Sequence, residues 1–245
     1  MQSIVGDIRE INRYPVKSFG GESLDVCDIE SYGLKGDRFC SFYDETKEGW
    51  WRYITARNIP NMMKYQAKFK EGDIQVIGPD GTLFGWDEEL LHEIQKMTDT
   101  RITMSKPKNP HPEHPHLLSV DGASILILTD ATLRKLEALW GKPVDQRRFR
   151  GNFVVAVNDD SIFEGDWIGQ QLSIGEVQLQ VDSYCERCVM ITMDPDNQAK
   201  DPSLHKKVHQ GFENRFGVYA SVIKPGKIRL GDQVKLVGSE DSICG

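Results

Sequence analysis

The sequence predicts a mostly β chain of barrel type with a few short helices. Three observations carry that reading. Many short alternating or apolar runs are cut by Gly and Pro. The run Phe153-Val154-Val155-Ala156-Val157 is apolar throughout, as a strand buried on both faces must be. Only three stretches carry helical spacing, and many short strands with few helices favour closed or barrel-like sheets.

Taken in order, residues 4–11, 24–29 and 38–43 read as strands, the last rich in aromatics, with Pro15, Gly20, Gly21, Gly33 and Gly36 as punctuation. Residues 73–84 read as a hairpin turning at Pro79-Asp80-Gly81. Asp87 is placed to cap a helix whose Leu90, Leu91, Ile94 and Met97 share a face. Residues 105–115 hold four prolines and two histidines, with His116 directly after, so they form a connecting loop and the expected domain boundary. A second helix, capped by Thr129, spans 130–140 with Leu133, Leu136 and Trp140 inward. Strands 172–174 and 177–181 form a hairpin at Gly175-Glu176. A third helix is expected over 204–216, closed by Gly217, before strands at 218–223 and 234–237.

At 245 residues the chain can build one large domain or two small ones. Acidic residues number 37 against 30 basic, a formal charge of −7, which argues against a dedicated nucleic-acid binder. No apolar run approaches the length a membrane helix needs, and no secretory leader is evident. The five cysteines, Cys27, Cys40, Cys185, Cys188 and Cys244, suit free thiols in a reducing cytoplasm.

Several segments could carry chemistry. Cys185-Glu186-Arg187-Cys188 allows a zinc site, a dithiol redox pair, a single reactive thiolate beside Arg187, or an inert buried pair. Zinc lacks a second cysteine pair. The redox reading lacks a following helix, because residues 189–192 read as strand. Arg147-Arg148-Phe149-Arg150-Gly151-Asn152 sets three guanidinium groups at the mouth of a core strand, suited to phosphate or carboxylate. Lys17-Ser18 opens a Gly-containing loop, without the glycine order of a P-loop. Arg38 and Arg57 sit at turn edges, and each alone reads as an ion-paired structural residue. His111, His114 and His116 are spaced by prolines that hold metal ligands poorly. The turn Asp194-Pro195-Asp196 could bring a carboxylate near the thiols.

Together these pieces resemble one family. Tyr14-Pro15-Val16-Lys17-Ser18, Gly33-Leu34, Asp37-Arg38-Phe39 and Thr55-Ala56-Arg57 are similar to the β-barrel domain that precedes MOSC domains. The segments beginning at Leu128, Arg148, Arg187, Gly217 and Gly226, the third with Asp194-Pro195-Asp196, resemble the MOSC domain in order. The resemblance divides the chain into an N-terminal β-barrel-like domain, 1–105, and a MOSC β-barrel domain, 106–245. In one departure, Gly151 stands where the family carries proline.

The resemblance implies a molybdenum cofactor enzyme of the mitochondrial amidoxime-reducing component and YcbX type, which reduces small N-hydroxylated compounds. It implies Cys188 as molybdenum ligand and catalytic residue. Lys17, Ser18, Arg38, Thr129, Asp130, Arg148, Arg150 and Asn152 would contact the molybdopterin. Four clustered cysteines do not follow Cys188, so the electron donor is expected to be a separate redox protein. The alternative is a cofactor or sulfur carrier that uses Cys188 without turning over substrate.

Overall fold

The computed structural model describes residues 2–108, 110–111, 113–118 and 122–237. Cys244 lies outside them. The architecture is mostly β, with three α-helices among the described residues. Seven strands close into a barrel. Around the ring they are Gln2–Arg13, Phe153–Val157, Ile125–Thr129, Arg215–Lys224, Val177–Glu186, Gln171–Ile174 and Gln233–Val237, which returns to Gln2–Arg13. Every neighbouring pair is antiparallel except Ile125–Thr129 beside Phe153–Val157. A parallel pair needs a crossover, which helix α2 (Asp130–Trp140) supplies.

Alternate residues of each strand point inward, so Ile8, Ile125, Ile127, Phe153, Val155, Val181 and Val218 fill one apolar interior. The first strand pairs across a long sequence gap, with Gly6 opposite Val157 and Gln2 opposite Val237. A second tie joins Val26–Glu30 to Gly226–Arg229. Both halves of the chain therefore build the barrel and its skirt.

Two three-stranded sheets surround a second core of Phe19, Phe42, Met62, Leu90 and Ile94. The expected hairpin is present as Asp73–Ile77 against Leu83–Phe84. Helix α1 (Glu88–Gln95) begins where Asp87 accepts from the amides of Glu89 and Leu90. Helix α2 is capped by Thr129, as expected, and ends at the left-handed Gly141.

Three expectations need correction. Helix α3 (Pro202–Phe212) ends four residues early, because Glu213 and Asn214 turn left-handed and Phe216 joins the strand Arg215–Lys224. Gly217 therefore bends a strand and does not cap a helix. Val189–Thr192 is a 3₁₀ turn, not a strand. Its apolar run suits a strand, but the Thr192 hydroxyl donates to the Val189 carbonyl at 2.7 Å and tightens the turn. In the stretch 38–43 only Phe42 and Tyr43 are in a strand, because Arg38 is left-handed.

Candidate functional site

A cleft of about 830 Å³ opens where the loops of the two cores meet. Lys17, Ser18, Arg38, Arg148, Arg150, Asn152 and Cys188 all line it. Six cations face it (Lys17, Arg38, Arg57, Arg148, Arg150 and Arg187) against two acids, Asp37 and Glu186. A cationic cleft in an acidic chain is a built feature, because buried like charges repel unless a partner neutralises them.

Local structure fixes each cation. Ser18, Arg38 and Arg150 hold positive φ, at 70°, 49° and 55°. Such backbone costs on the order of 1–3 kcal/mol per residue and persists only where the surroundings over-determine it. Asp145 caps the short turn Gln146–Phe149, and Arg150 closes that turn left-handed. The Arg150 Nη1 then donates to the Phe19 carbonyl at 2.6 Å. Asp37 accepts from the Tyr14 amide and takes both carboxylate contacts from the Arg38 Nη1 at 2.7 Å. Arg38 Nη2 reaches the Arg150 carbonyl at 3.3 Å. Both guanidinium groups lie over the Tyr14 ring, at 4.6 and 4.2 Å. Burial pushes the Tyr14 phenol up, so a neutral ring offers its face to the two cations.

Lys17 is buried, with Nζ 4.5 Å above Trp50 and 5.0 Å above Tyr53. Arg148, also buried, donates to the Thr192 carbonyl at 3.1 Å and to Asp194 at 2.8 Å. It thereby pins the turn that follows Cys188. Asn152 accepts from the Leu126 amide at 3.0 Å and donates to the Asn12 carbonyl at 3.2 Å. A Cβ at Gly151 would stand 2.8 Å from the Leu128 side chain, so the glycine lets this loop pack directly on the core.

The two thiols differ. Cys188 is exposed and precedes the 3₁₀ turn. Cys185 is buried at the end of the strand Val177–Glu186, where the register shifts beside it. Arg187 donates to the Cys185 sulfur at 2.7 Å and to the Phe149 carbonyl at 2.6 Å. Burial pushes the Cys27 and Cys40 thiols up to about 12, which keeps them protonated and inert.

Thr129 and Asp130 do not reach the cleft. Thr129 caps α2 and donates to the buried Glu164 at 2.7 Å. Asp130 accepts from Arg134 at 2.7 Å and from the Val157 amide at 3.1 Å. Their positions serve the parallel crossover. Conversely Arg57, Arg187 and Tyr219 line the cleft although the family resemblance implies none of them as a cofactor contact. The signal was present for the two arginines, in the Thr55-Ala56-Arg57 segment and beside Cys188. The histidines stack face on face, His111 on Trp50 and His114 on His111, which directs their rings into a column. His111 Nδ1 accepts two backbone amides at 3.1 Å.

Fold and site together define a β-barrel protein with one exposed thiol among the described residues, Cys188, in a cation-lined cleft. The comparisons make this specific. The MOSC N-terminal beta barrel domain profile matches residues 5–110 and the MOSC domain profile matches residues 114–235. The chain belongs to the family of MOSC-domain proteins with an N-terminal MOSC β-barrel domain.

Its relatives include human mitochondrial amidoxime reducing component 2, 33% identical over 94% of this chain and 83% of the relative. The bovine mitochondrial amidoxime reducing component 2 is 27% identical over the same shares. Among solved structures, the YUAD protein of Bacillus subtilis superposes with a TM-score of 0.51 at 13% identity, covering 96% of this chain and 97% of that one. That likeness concerns the fold alone. The names of the curated relatives place those proteins in mitochondria. In this chain no helix among the described residues is long and apolar enough to cross a membrane.

Proposed function

We propose that this protein binds the molybdenum cofactor in the cleft and reduces small N-hydroxylated compounds with electrons from a separate redox protein. The observation that carries the reading is an exposed thiol in a cleft where six cations face two acids. Molybdopterin needs that donor set: a soft thiolate for the metal and guanidinium or ammonium groups for the phosphate. The residues present fit the group. The resemblance to proteins named amidoxime reducing component supports the substrate class. The cysteine usage supports a cytoplasmic protein.

In this reading Cys188 is the metal ligand. Lys17, Ser18, Arg38, Arg148 and Arg150 hold the anionic part of the cofactor. Asn152 keeps the floor of the cleft in place, and Thr129 and Asp130 shape the barrel behind it. When bound, the cofactor supplies the two-electron chemistry that converts R–NH–OH, two electrons and two protons into R–NH₂ and water. The chain supplies orientation, charge and a preformed pocket. Arg187 lines the same cleft and turns its guanidinium onto the Cys185 sulfur and the Phe149 carbonyl, which fixes the strand end that leads into Cys188.

The test is elemental analysis of protein made in a host that synthesises the cofactor. The expected result is near-stoichiometric molybdenum that is lost in Cys188→Ser and kept in Cys185→Ser. Equal loss in both variants overturns the single-ligand assignment. The exposure of Cys188 also suits a carrier that passes sulfur or cofactor onward. Turnover of an N-hydroxylated compound with a reduced viologen dye separates the two, because a carrier binds molybdenum without reducing the compound.

A further inference from the structure

A second hollow of about 700 Å³ adjoins the cleft and shares Thr55 and Arg57 with it. Its walls are aromatic and cationic, formed by Trp50, Trp51, Tyr53 and Lys47. Two of the rings are tightly held. Tyr53 is buried, and Trp50 packs against both the Lys17 ammonium and the His111 ring. Trp51 is the opposite case. It is 80% exposed and makes no ring contact or hydrogen bond with any described residue. An indole so exposed adds nothing to the core, and its amphipathic ring stays open to solvent along the wall of this hollow. The turn around it is itself fixed, since the Trp50 amide donates to Glu113 at 3.1 Å.

We propose that the face of Trp51 is a substrate platform. It stacks the planar aryl group of an N-hydroxylated compound while the N–OH end passes over Thr55 and Arg57 toward Cys188. This rests on the reductase reading and adds a selectivity to it: flat aromatic substrates over aliphatic ones bearing the same N–OH group. The aryl occupant is favoured by the continuity of the two hollows and by the indole, which offers a quadrupolar face that prefers offset-stacked rings. Arg57 and Lys47 flank the route with charge and hydrogen-bond donors for the polar N–OH end.

The test compares benzohydroxamic acid with acetohydroxamic acid in the holoprotein, with reduced methyl viologen as donor. Each turnover takes two electrons and two protons, cleaves the N–O bond and releases the amide and water. Trp51→Ala is expected to raise KM for benzohydroxamic acid about three- to tenfold and to change acetohydroxamic acid less than about twofold. Trp51→Phe should recover most of the loss. Equal effects on both acids, or none on either, overturn the platform.

Ligand-observed NMR of the same two acids on the same proteins gives an independent readout. If neither acid is reduced but benzohydroxamic acid binds in a Trp51-dependent way, the reductase reading fails and the platform stands. If Trp51→Ala slows only a protein electron donor and leaves viologen rates and NMR binding unchanged, Trp51 is a docking residue and the platform is wrong.

Discussion

Replacing Asn152 with alanine tests whether this residue is a ligand contact or a structural staple. The side chain is 2% exposed, and both its polar atoms are spent on backbone. Its Oδ1 takes the Leu126 amide at the end of one barrel strand, and its Nδ2 feeds the Asn12 carbonyl on another. Alanine leaves one buried N–H and one buried C=O without these partners. Each costs about 1–3 kcal/mol, so the expected loss is about 2–6 kcal/mol. For a chain of this size that is a fall in Tm of about 4–24 °C. The measurement is urea and thermal unfolding of the cofactor-free protein. If Asn152→Ala unfolds within about 0.5 kcal/mol of the wild type, the staple argument fails and the residue acts on the ligand alone.

Two further outcomes follow from the same geometry. Arg148→Gln combined with Arg150→Gln should leave the protein with little cofactor, read as pterin fluorescence after denaturation, and unchanged content would make the cluster a surface feature. Burial pushes the Glu164 carboxyl up, against hydrogen bonds from Thr132 and Thr129. A raised carboxyl contributes its stability below the ordinary value and loses it as pH rises through the raised one. Glu164→Gln, neutral throughout, should therefore gain on the wild type in unfolding free energy as pH climbs above 4.5 toward neutrality. A difference independent of pH between about 4.5 and 8 would show that the carboxyl titrates normally.

Local chemistry was the legible part of this fold. Asp87 and Thr129 announce their helices because a cap is decided within three residues. The strand Phe153–Val157 shows its burial in its own composition. The closure of the barrel by Gln2–Arg13 was not legible, because its partners lie more than a hundred residues away and register is a tertiary property. Helix α3 was overrun because Phe216 keeps the apolar spacing of the helix while the left-handed Glu213 and Asn214 break it. Neither residue type signals that break as glycine would. In the cleft, the resemblance pointed to Lys17, Ser18, Arg38, Arg148, Arg150, Asn152 and Cys188, which all line it. Thr129 and Asp130 sit in a matching segment, but their side chains serve the crossover.

The cleft owes its shape to contacts that cross the chain. Arg150 grips the Phe19 carbonyl, Arg38 grips the Arg150 carbonyl, and Arg187 grips the Phe149 carbonyl. Each guanidinium thus orders a loop distant in sequence while it lines the cleft. Removing one cation therefore disturbs the placement of the others, and double substitutions here should not add. The same wiring links folding to loading. Gathered cations and left-handed loops are a standing cost to the empty fold. An anion that neutralises the cations binds the folded state alone and stabilises it in proportion to its affinity. Under the proposed function, a pocket assembled this way is ready for the cofactor before the cofactor arrives, and the stability of the barrel is what holds it ready.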